Sequence, residues 1–147
     1  MYNNYNLETS RIFKDAEKIM ISLNHGYVGT EHLFLSMLKN SEEIRNLLEK
    51  YQIEYDGFLE ELLLVVNSET CKKVACIYPP LLKKVIKNAE IHAKNSYITP
   101  LMLLESLLEE GEGIAIRILI SMGLDIDKLY DEIKQKDKKS NQKLEIY

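Results

Sequence analysis

The chain has 147 residues and a formal net charge of −4, with 46% hydrophobic and 29% charged residues, a balance that excludes an intrinsically disordered protein. Acidic and basic residues are interspersed along most of the sequence, which disfavours nucleic-acid binding because that function needs a basic face. Six glycines and three prolines are too few for the turns of an all-β fold, so the composition favours helices joined by short loops.

The first half of the chain contains the signals of four helices. Apolar residues from Ile12 to Leu23 recur with helical spacing and predict an amphipathic first helix. A second helix is predicted to begin at Thr30, whose hydroxyl can cap free N–H groups while Gly29 lets the chain turn. A third begins at Ser41. The fourth carries Tyr55, Phe58, Leu59 and Leu62.

The same apolar pattern recurs about 70 residues later, which indicates an internal duplication. Ile12 matches Val85 at an offset of 73, and Leu33 matches Leu103 at an offset of 70. A third block, from Leu48 onwards, matches at an offset of 71. The offset changes only between blocks, where loops can absorb it. The chain is therefore predicted to be two copies of one unit.

Helix signals in the second copy match those in the first. Thr99 followed by Pro100 places a cap before a proline at the first helical position. Another helix is predicted to end at Met122 before Gly123, and the last helix to start at Asp125.

These elements predict an all-α fold of eight helices, arranged as two tandem four-helix repeats with pseudo-two-fold symmetry and packed as one domain over 1–137. The predicted parts are repeat one at about 5–67, a connector at 68–78, repeat two at about 79–137, and a polar tail or linker start at 138–147. From Lys134 to Lys143 there is no apolar stripe, so this segment is predicted to fray or be disordered.

The sequence also suggests where the protein resides. Its longest strongly apolar run, Leu62–Val66, is much shorter than the roughly 20 residues that span a bilayer, so no membrane contact is expected. The N-terminus lacks the regions of a signal peptide, which predicts a cytoplasmic protein. Cys71 and Cys76 are then expected to be free thiols.

No pattern of residues predicts catalysis. The phosphate-loop motif GxxxxGK[ST] is missing, and Glu110–Gly113 is interpreted as a turn because its carboxylates would repel a nucleotide phosphate. The three histidines are scattered, so neither a metal site nor a cofactor is predicted. His92 aligns with Ile19 and is interpreted as a half-buried packing residue rather than a base. The chain is predicted not to be an enzyme.

Glu31 has two interpretations that residue spacing leaves open. As the carboxylate in the first turn of a helix, it is favoured by the helix macrodipole, and stabilisation of the helix start is the preferred interpretation. Alternatively, it is a surface carboxylate beside Thr30, placed to receive a cation such as a guanidinium group.

Three segments resemble a known family: Tyr27-Val-Gly-Thr-Glu-His-Leu33, Glu109-Glu-Gly-Glu-Gly-Ile-Ala115, and the Tyr78-Pro-Pro start of the second copy. Together with the duplication, they are similar to the Clp N-terminal domain, the double four-helix repeat that precedes the ATPase modules of Hsp100/Clp unfoldases. The similarity is closest to the ClpC branch and covers roughly residues 5 to 135.

The resemblance implies a domain that binds adaptor proteins and protein substrates and presents them to a hexameric AAA+ ring working with a ClpP-type peptidase. It also implies a phosphoarginine site in the first repeat at Glu31 and Thr30, with Asn6 where the family has a helix-start threonine. In the second repeat the matching glutamate is replaced by Leu101, and Pro79 stands where the family usually has a threonine. The second site is therefore expected to be lost.

Two hypotheses follow from the resemblance. The first is a non-catalytic recognition module of an unfolding ATPase, attached to the ATPase or acting in trans. The alternative is a free-standing regulator that competes with the full unfoldase for its adaptors, suggested by a sequence that ends at Tyr147 without an ATPase. In isolation the domain is expected to be a monomer.

Overall fold

The computed structural model describes residues 5–65, 79–94 and 96–145, with side chains up to residue 136. The predicted connector 68–78, with both cysteines, lies outside the described residues. Eight α-helices form the described part of the chain: α1 Leu7–Ser22, α2 Thr30–Asn40, α3 Glu42–Glu49, α4 Tyr55–Val65, α5 Pro80–Ala93, α6 Pro100–Glu110, α7 Ile114–Ser121 and α8 Ile126–Glu145. The all-α prediction is confirmed. No described helix is both long enough and apolar enough to cross a membrane.

Most predicted helix starts are found with the expected cap. The Ser41 hydroxyl accepts a hydrogen bond from the amide of Ile44 at 3.2 Å, and the Thr99 hydroxyl accepts one from the amide of Met102 at 3.3 Å. Asp125 caps α8 in the same way. Each cap satisfies an N–H group that the first helical turn leaves without a partner.

The start of α2 has a different cap residue and a different capping hydrogen bond from those predicted. The helix begins at Thr30 as expected, but Gly29 is the N-cap residue and the Thr30 hydroxyl does not cap α2. Gly29 has an ordinary extended backbone, with φ of −106°, so no left-handed turn requires a glycine here. The imidazole of His32, three residues after Gly29, accepts the hydrogen bond of the Gly29 amide instead.

Each repeat contains a buried hydrogen bond between its first two helices. The offsets of the internal duplication make the positions of these two bonds equivalent. Ser36 on α2 donates its hydroxyl proton to the carbonyl of Ile12 on α1 at 2.6 Å. Ser106 on α6 donates in the same way to the carbonyl of Val85 on α5. Because Ile12 and Val85 are matched by the apolar pattern, the two helix pairs pack in the same register.

The repeats pack on each other through reciprocal contacts and bury a continuous core. Helix α2 of repeat one contacts α7 of repeat two, and α6 of repeat two contacts α3 of repeat one. At the edge of this interface the Tyr51 hydroxyl donates to Glu132 at 2.8 Å, and Lys50 pairs with the same carboxylate. Core side chains come from both repeats and include Ile12, Leu33, Phe34, Phe58, Leu103, Leu107, Ile118 and Leu129.

The C-terminal segment does not fray as the sequence predicted. The backbone of α8 remains helical from Ile126 to Glu145, although its second half has no apolar stripe. Lysine, glutamine and glutamate have good intrinsic helix propensity, so they can extend a helix whose first half is already packed. Leu129 and Ile133 provide that packing, since both are fully buried.

Candidate functional site

The glutamate singled out by the sequence is buried. Glu31 lies in the first turn of α2 and is only 3% exposed, which overturns its interpretation as a surface carboxylate. Burial raises the pKa of its carboxyl group, because the charged form loses water, and a hydrogen bond from its own amide partly offsets this shift. The position in the first turn agrees with stabilisation of the helix start.

The Glu31 carboxylate folds back over Gly29. A Cβ atom added at position 29 would overlap Glu31 Oε1 and would come within 2.7 Å of its carboxyl carbon. Glycine at this position therefore allows the covered conformation of the Glu31 side chain, whereas the backbone conformation itself does not demand a glycine. The overlapping atoms are at the far end of a flexible side chain, so an added Cβ would displace the carboxylate rather than the backbone.

Thr30 connects this site to the second repeat. Its hydroxyl oxygen accepts a buried hydrogen bond from the amide of Ala115, at the start of α7, at 3.3 Å. Gly113 lies against the same hydroxyl and against Leu81 of α5, and it has a φ of +104° that favours glycine. The GTEH and EGEGIA motifs thus meet in space, 85 residues apart in sequence.

Two histidines, one in the first turn of α2 and one shortly before this helix, form a hydrogen-bonded pair. His32 Nδ1 accepts from the Gly29 amide at 2.8 Å, and His32 Nε2 lies 2.7 Å from His25 Nδ1. Since Nδ1 of His32 is an acceptor, its proton is on Nε2 and is donated to His25. Burial, reinforced by repulsion from His25, lowers the pKa of His32 to about 3, and burial also lowers the pKa of His25. Both rings are therefore neutral at pH 7.

Asn6 is not brought to this site. Its side chain caps α1 by accepting a hydrogen bond from the Thr9 amide at 2.8 Å, as its helix-start position suggested. It lines a surface cleft with Asn40, Thr99 and Pro100, beside the start of α6 in repeat two. Asn40 ends α2 and lies about 15 Å along the helix axis from Thr30. Thr30 and Glu31 lie together, whereas Asn6 lies at the opposite edge of the inter-repeat contact.

The edge that contains Asn6 is the counterpart of the Glu31 site in the other repeat. Here α6 begins with Pro100 and Leu101 where α2 begins with Thr30 and Glu31. Leu101 is 9% exposed and belongs to the apolar core. This edge therefore has no carboxylate equivalent to that of Glu31.

A second polar cluster was not predicted from the sequence. His92 of α5 contacts Glu109 of α6, and Glu105 of α6 forms an ion pair with Lys134 of α8 at 2.6 Å. Ligand atoms of His92, Glu105 and Glu109 all lie within 4.8 Å of one another. The prediction of a half-buried His92 is confirmed, but the histidines are less scattered than the sequence suggested, because folding pairs His25 with His32 and His92 with carboxylates.

Comparisons with known proteins agree with this architecture. The family model described as the Clp repeat N-terminal domain matches residues 4–96 and 82–145. The ClpC ATP-binding subunits of the ATP-dependent Clp protease from Staphylococcus saprophyticus and Staphylococcus aureus USA300 are each 31% identical over 122 residues, or 80% of this chain. The chain spans about 15% of the length of these relatives.

Solved structures show the same fold at lower sequence identity. The N-terminal domain of the chaperone ClpD from Arabidopsis thaliana superposes with a TM-score of 0.76 at 20% identity, covering 94% of this chain and 97% of that one. The Hsp104 N-terminal domain from Candida albicans gives 0.69 at 14% identity, covering 89% of each chain. With a family model matching both repeats and relatives at 31% identity, the chain belongs to the family of Clp repeat N-terminal domains.

Proposed function

We propose that this domain is the non-catalytic recognition module of a Clp ATPase. In this role it binds adaptor proteins and protein substrates and delivers them to an AAA+ ring that works with a ClpP-type peptidase in the cytoplasm. Membership of the Clp repeat family carries this proposal, since its relatives are named as ATP-binding subunits of a Clp protease. The ATPase itself would be supplied by a separate module.

The finer proposal is that Glu31 and Thr30 bind phosphoarginine on marked substrates. A carboxylate is the natural partner of a guanidinium group, because the two planar groups can form paired charge-assisted hydrogen bonds. The start of α2 also offers N–H groups that lack partners within the helix, and these suit a phosphate oxygen. The hydroxyl of Thr30, whose oxygen accepts from the Ala115 amide, still has a proton that it can donate to a phosphate oxygen.

Binding requires the Glu31 side chain to rotate outwards, because its carboxylate is covered in the structure. Burial disfavours the ionised carboxylate, as the direction of its pKa shift indicates. Rotation into solvent would restore hydration, and a bound guanidinium group would then compensate the charge. The covered carboxylate is accordingly a resting state, and the exposed carboxylate is the binding state.

Titration of the purified chain with phosphoarginine tests this proposal. Saturable binding is expected, and Glu31→Ala should abolish it because the guanidinium loses its partner. Asp127→Ala is the matched control, since Asp127 is an exposed acidic residue in the first turn of α8. Equal binding by the parent chain and Glu31→Ala would remove Glu31 from the mechanism.

Gly29→Ala tests the resting state separately. The backbone at Gly29 accepts alanine, and the added Cβ must push the Glu31 carboxylate away from its covered position. Phosphoarginine is therefore expected to bind Gly29→Ala more tightly than the parent chain. Weaker binding would mean that the folded-back carboxylate is itself the binding conformation.

Asn6 enters the proposal only as a contact at the opposite edge. Asn6→Ala is expected to leave the affinity of the Glu31 site unchanged, because Asn6 lies beside Thr99 and Pro100. A loss of phosphoarginine binding in Asn6→Ala would instead place the ligand at that edge.

A further inference from the structure

The cluster at the α5–α6–α8 contact has the donors of a metal site. His92 contributes an imidazole from α5, and Glu105 and Glu109, one helical turn apart on α6, contribute carboxylates. Glu105 is 1% exposed, while His92 and Glu109 are partly open to solvent. The three donors are therefore held by two packed helices, with one side of the cluster accessible.

Repeat one shows that the fold does not require these residues. At the offsets that align the repeats, His92 corresponds to Ile19 and Glu105 to Leu35, both buried apolar residues of the core. Glu109 corresponds to Lys39, which has the opposite charge. Equivalent helices thus pack with an isoleucine, a leucine and a lysine in repeat one, and with three ligand-type residues in repeat two.

Burying a carboxylate where the other repeat buries a leucine is unfavourable unless its charge is compensated. Lys134 supplies one positive charge to Glu105 at 2.6 Å. His92 contacts the Glu109 carboxylate through its Nε2 atom. Two carboxylates therefore share one lysine, and the resulting excess of negative charge attracts a cation.

We infer that His92, Glu105 and Glu109 form a binding site for a divalent cation of borderline softness such as Zn²⁺, a property beyond the proposed recognition function. Imidazole nitrogen and carboxylate oxygen are both ordinary zinc ligands, at about 2.0–2.2 Å. A tetrahedral ion holds its ligands about 3.4 Å apart. The three ligand atoms lie within 4.8 Å of one another, so side-chain rotations can bring them to this separation. Water completes the coordination.

Lys134 competes with the metal for Glu105. Its ammonium group occupies one carboxylate oxygen of Glu105 in the structure and must move when a dication binds. The long side chain of Lys134 is 40% exposed, so it can turn into solvent. Removing this lysine is therefore expected to strengthen metal binding. If Lys134 and Glu105 formed only a structural ion pair, removing the lysine would give no such gain.

A zinc titration of the EDTA-treated chain, read by competition with a chromophoric chelator, tests the site. Cys71 and Cys76 are replaced by serine, because thiolates would bind zinc themselves. One saturable site is expected, and His92→Ile, which introduces the residue of repeat one, should weaken it at least 10-fold. His25→Gln, which alters a histidine outside the cluster, should leave it unchanged.

Two further variants keep the test decisive. Glu109→Gln, at an exposed position, should also weaken zinc binding, and Lys134→Gln should strengthen it. Circular dichroism of each metal-free variant shows whether it folds, and zinc should raise the melting temperature of the parent chain by more than that of His92→Ile. Absence of saturable binding below about 1 mM zinc, or binding unaffected in both His92→Ile and Glu109→Gln, would overturn the site.

Discussion

Replacing His32 by glutamine is expected to remove most of the acid sensitivity that this histidine gives to the domain. Buried neutral in the folded state, His32 accepts the Gly29 amide proton at Nδ1 and donates from Nε2 to His25. Protonation at Nδ1 would break the first of these bonds and place a charge in the core. Glutamine at the same helix position can accept the Gly29 amide bond as in a capping box, but it does not titrate.

The sign and size of the effect follow from the lowered pKa of His32. The pKa of His32 is about 3 in the folded state and has its ordinary value of 6.5 in the unfolded chain, so the unfolded chain binds more protons between these limits and stability falls as the pH drops. With 1.36 kcal/mol per pKa unit, lowering the pH from 7 to 5 costs about 2 kcal/mol. Above pH 7 the free energy of unfolding is independent of this group.

Urea unfolding followed by circular dichroism at pH 7, 6 and 5 measures this loss in both proteins. The parent chain should lose about 2 kcal/mol more than His32→Gln between pH 7 and 5. The raised pKa of Glu31 has the opposite sign and stabilises the folded state as the pH falls, but both proteins contain Glu31. Burial also lowers the pKa of His25, so His25 adds acid sensitivity of the same sign as His32, and both proteins share it.

Equal losses of stability in the parent chain and His32→Gln would refute this reasoning. Such a result would mean that protonated His32 is accommodated without penalty, through solvent access or rotation of its ring. A lower stability of His32→Gln at every pH, with the same dependence on pH, would likewise show that the histidine contributes packing and not acid sensitivity.

Two further substitutions test the contacts within and between the repeats. Thr30→Val should lower the free energy of unfolding by about 1–3 kcal/mol, because it leaves the buried Ala115 amide without its acceptor. Urea denaturation measures this loss, and a neutral effect would show that this bond does not hold the repeats together. Ser36→Ala and Ser106→Ala should each lower the free energy of unfolding by about 1 kcal/mol in the same measurement, since their hydroxyls donate to equivalent carbonyls. Unequal losses would mean that the two helix pairs are energetically different.

The elements of this fold can be predicted from the sequence because their signals are local. Apolar spacing marks the buried face of each helix, and caps such as Ser41 and Thr99 mark where helices begin. The duplication is visible because equivalent core positions need similar side chains, as Ile12 and Val85 illustrate. Local signals also explain the error at α8, where the missing apolar stripe suggested fraying although good helix formers continue the helix.

The candidate site could be predicted only in part. The GTEH segment identified Thr30 and Glu31, and the resemblance added Asn6, but linear spacing cannot show that Asn6 lies at the other end of α2. It also cannot show that the carboxylate of Glu31 is covered, because its burial depends on how it folds over Gly29.

By itself, the sequence therefore determined the helical class, the two repeats and the identity of the helix-start residues, all of which depend on neighbours along the chain. Only the tertiary structure decided that Thr30 reaches Ala115, that His32 is buried against His25, and that His92 meets two carboxylates. These features arise where segments distant in sequence pack together. Their burial and electrostatics depend on every group that surrounds them, and no local pattern contains that information.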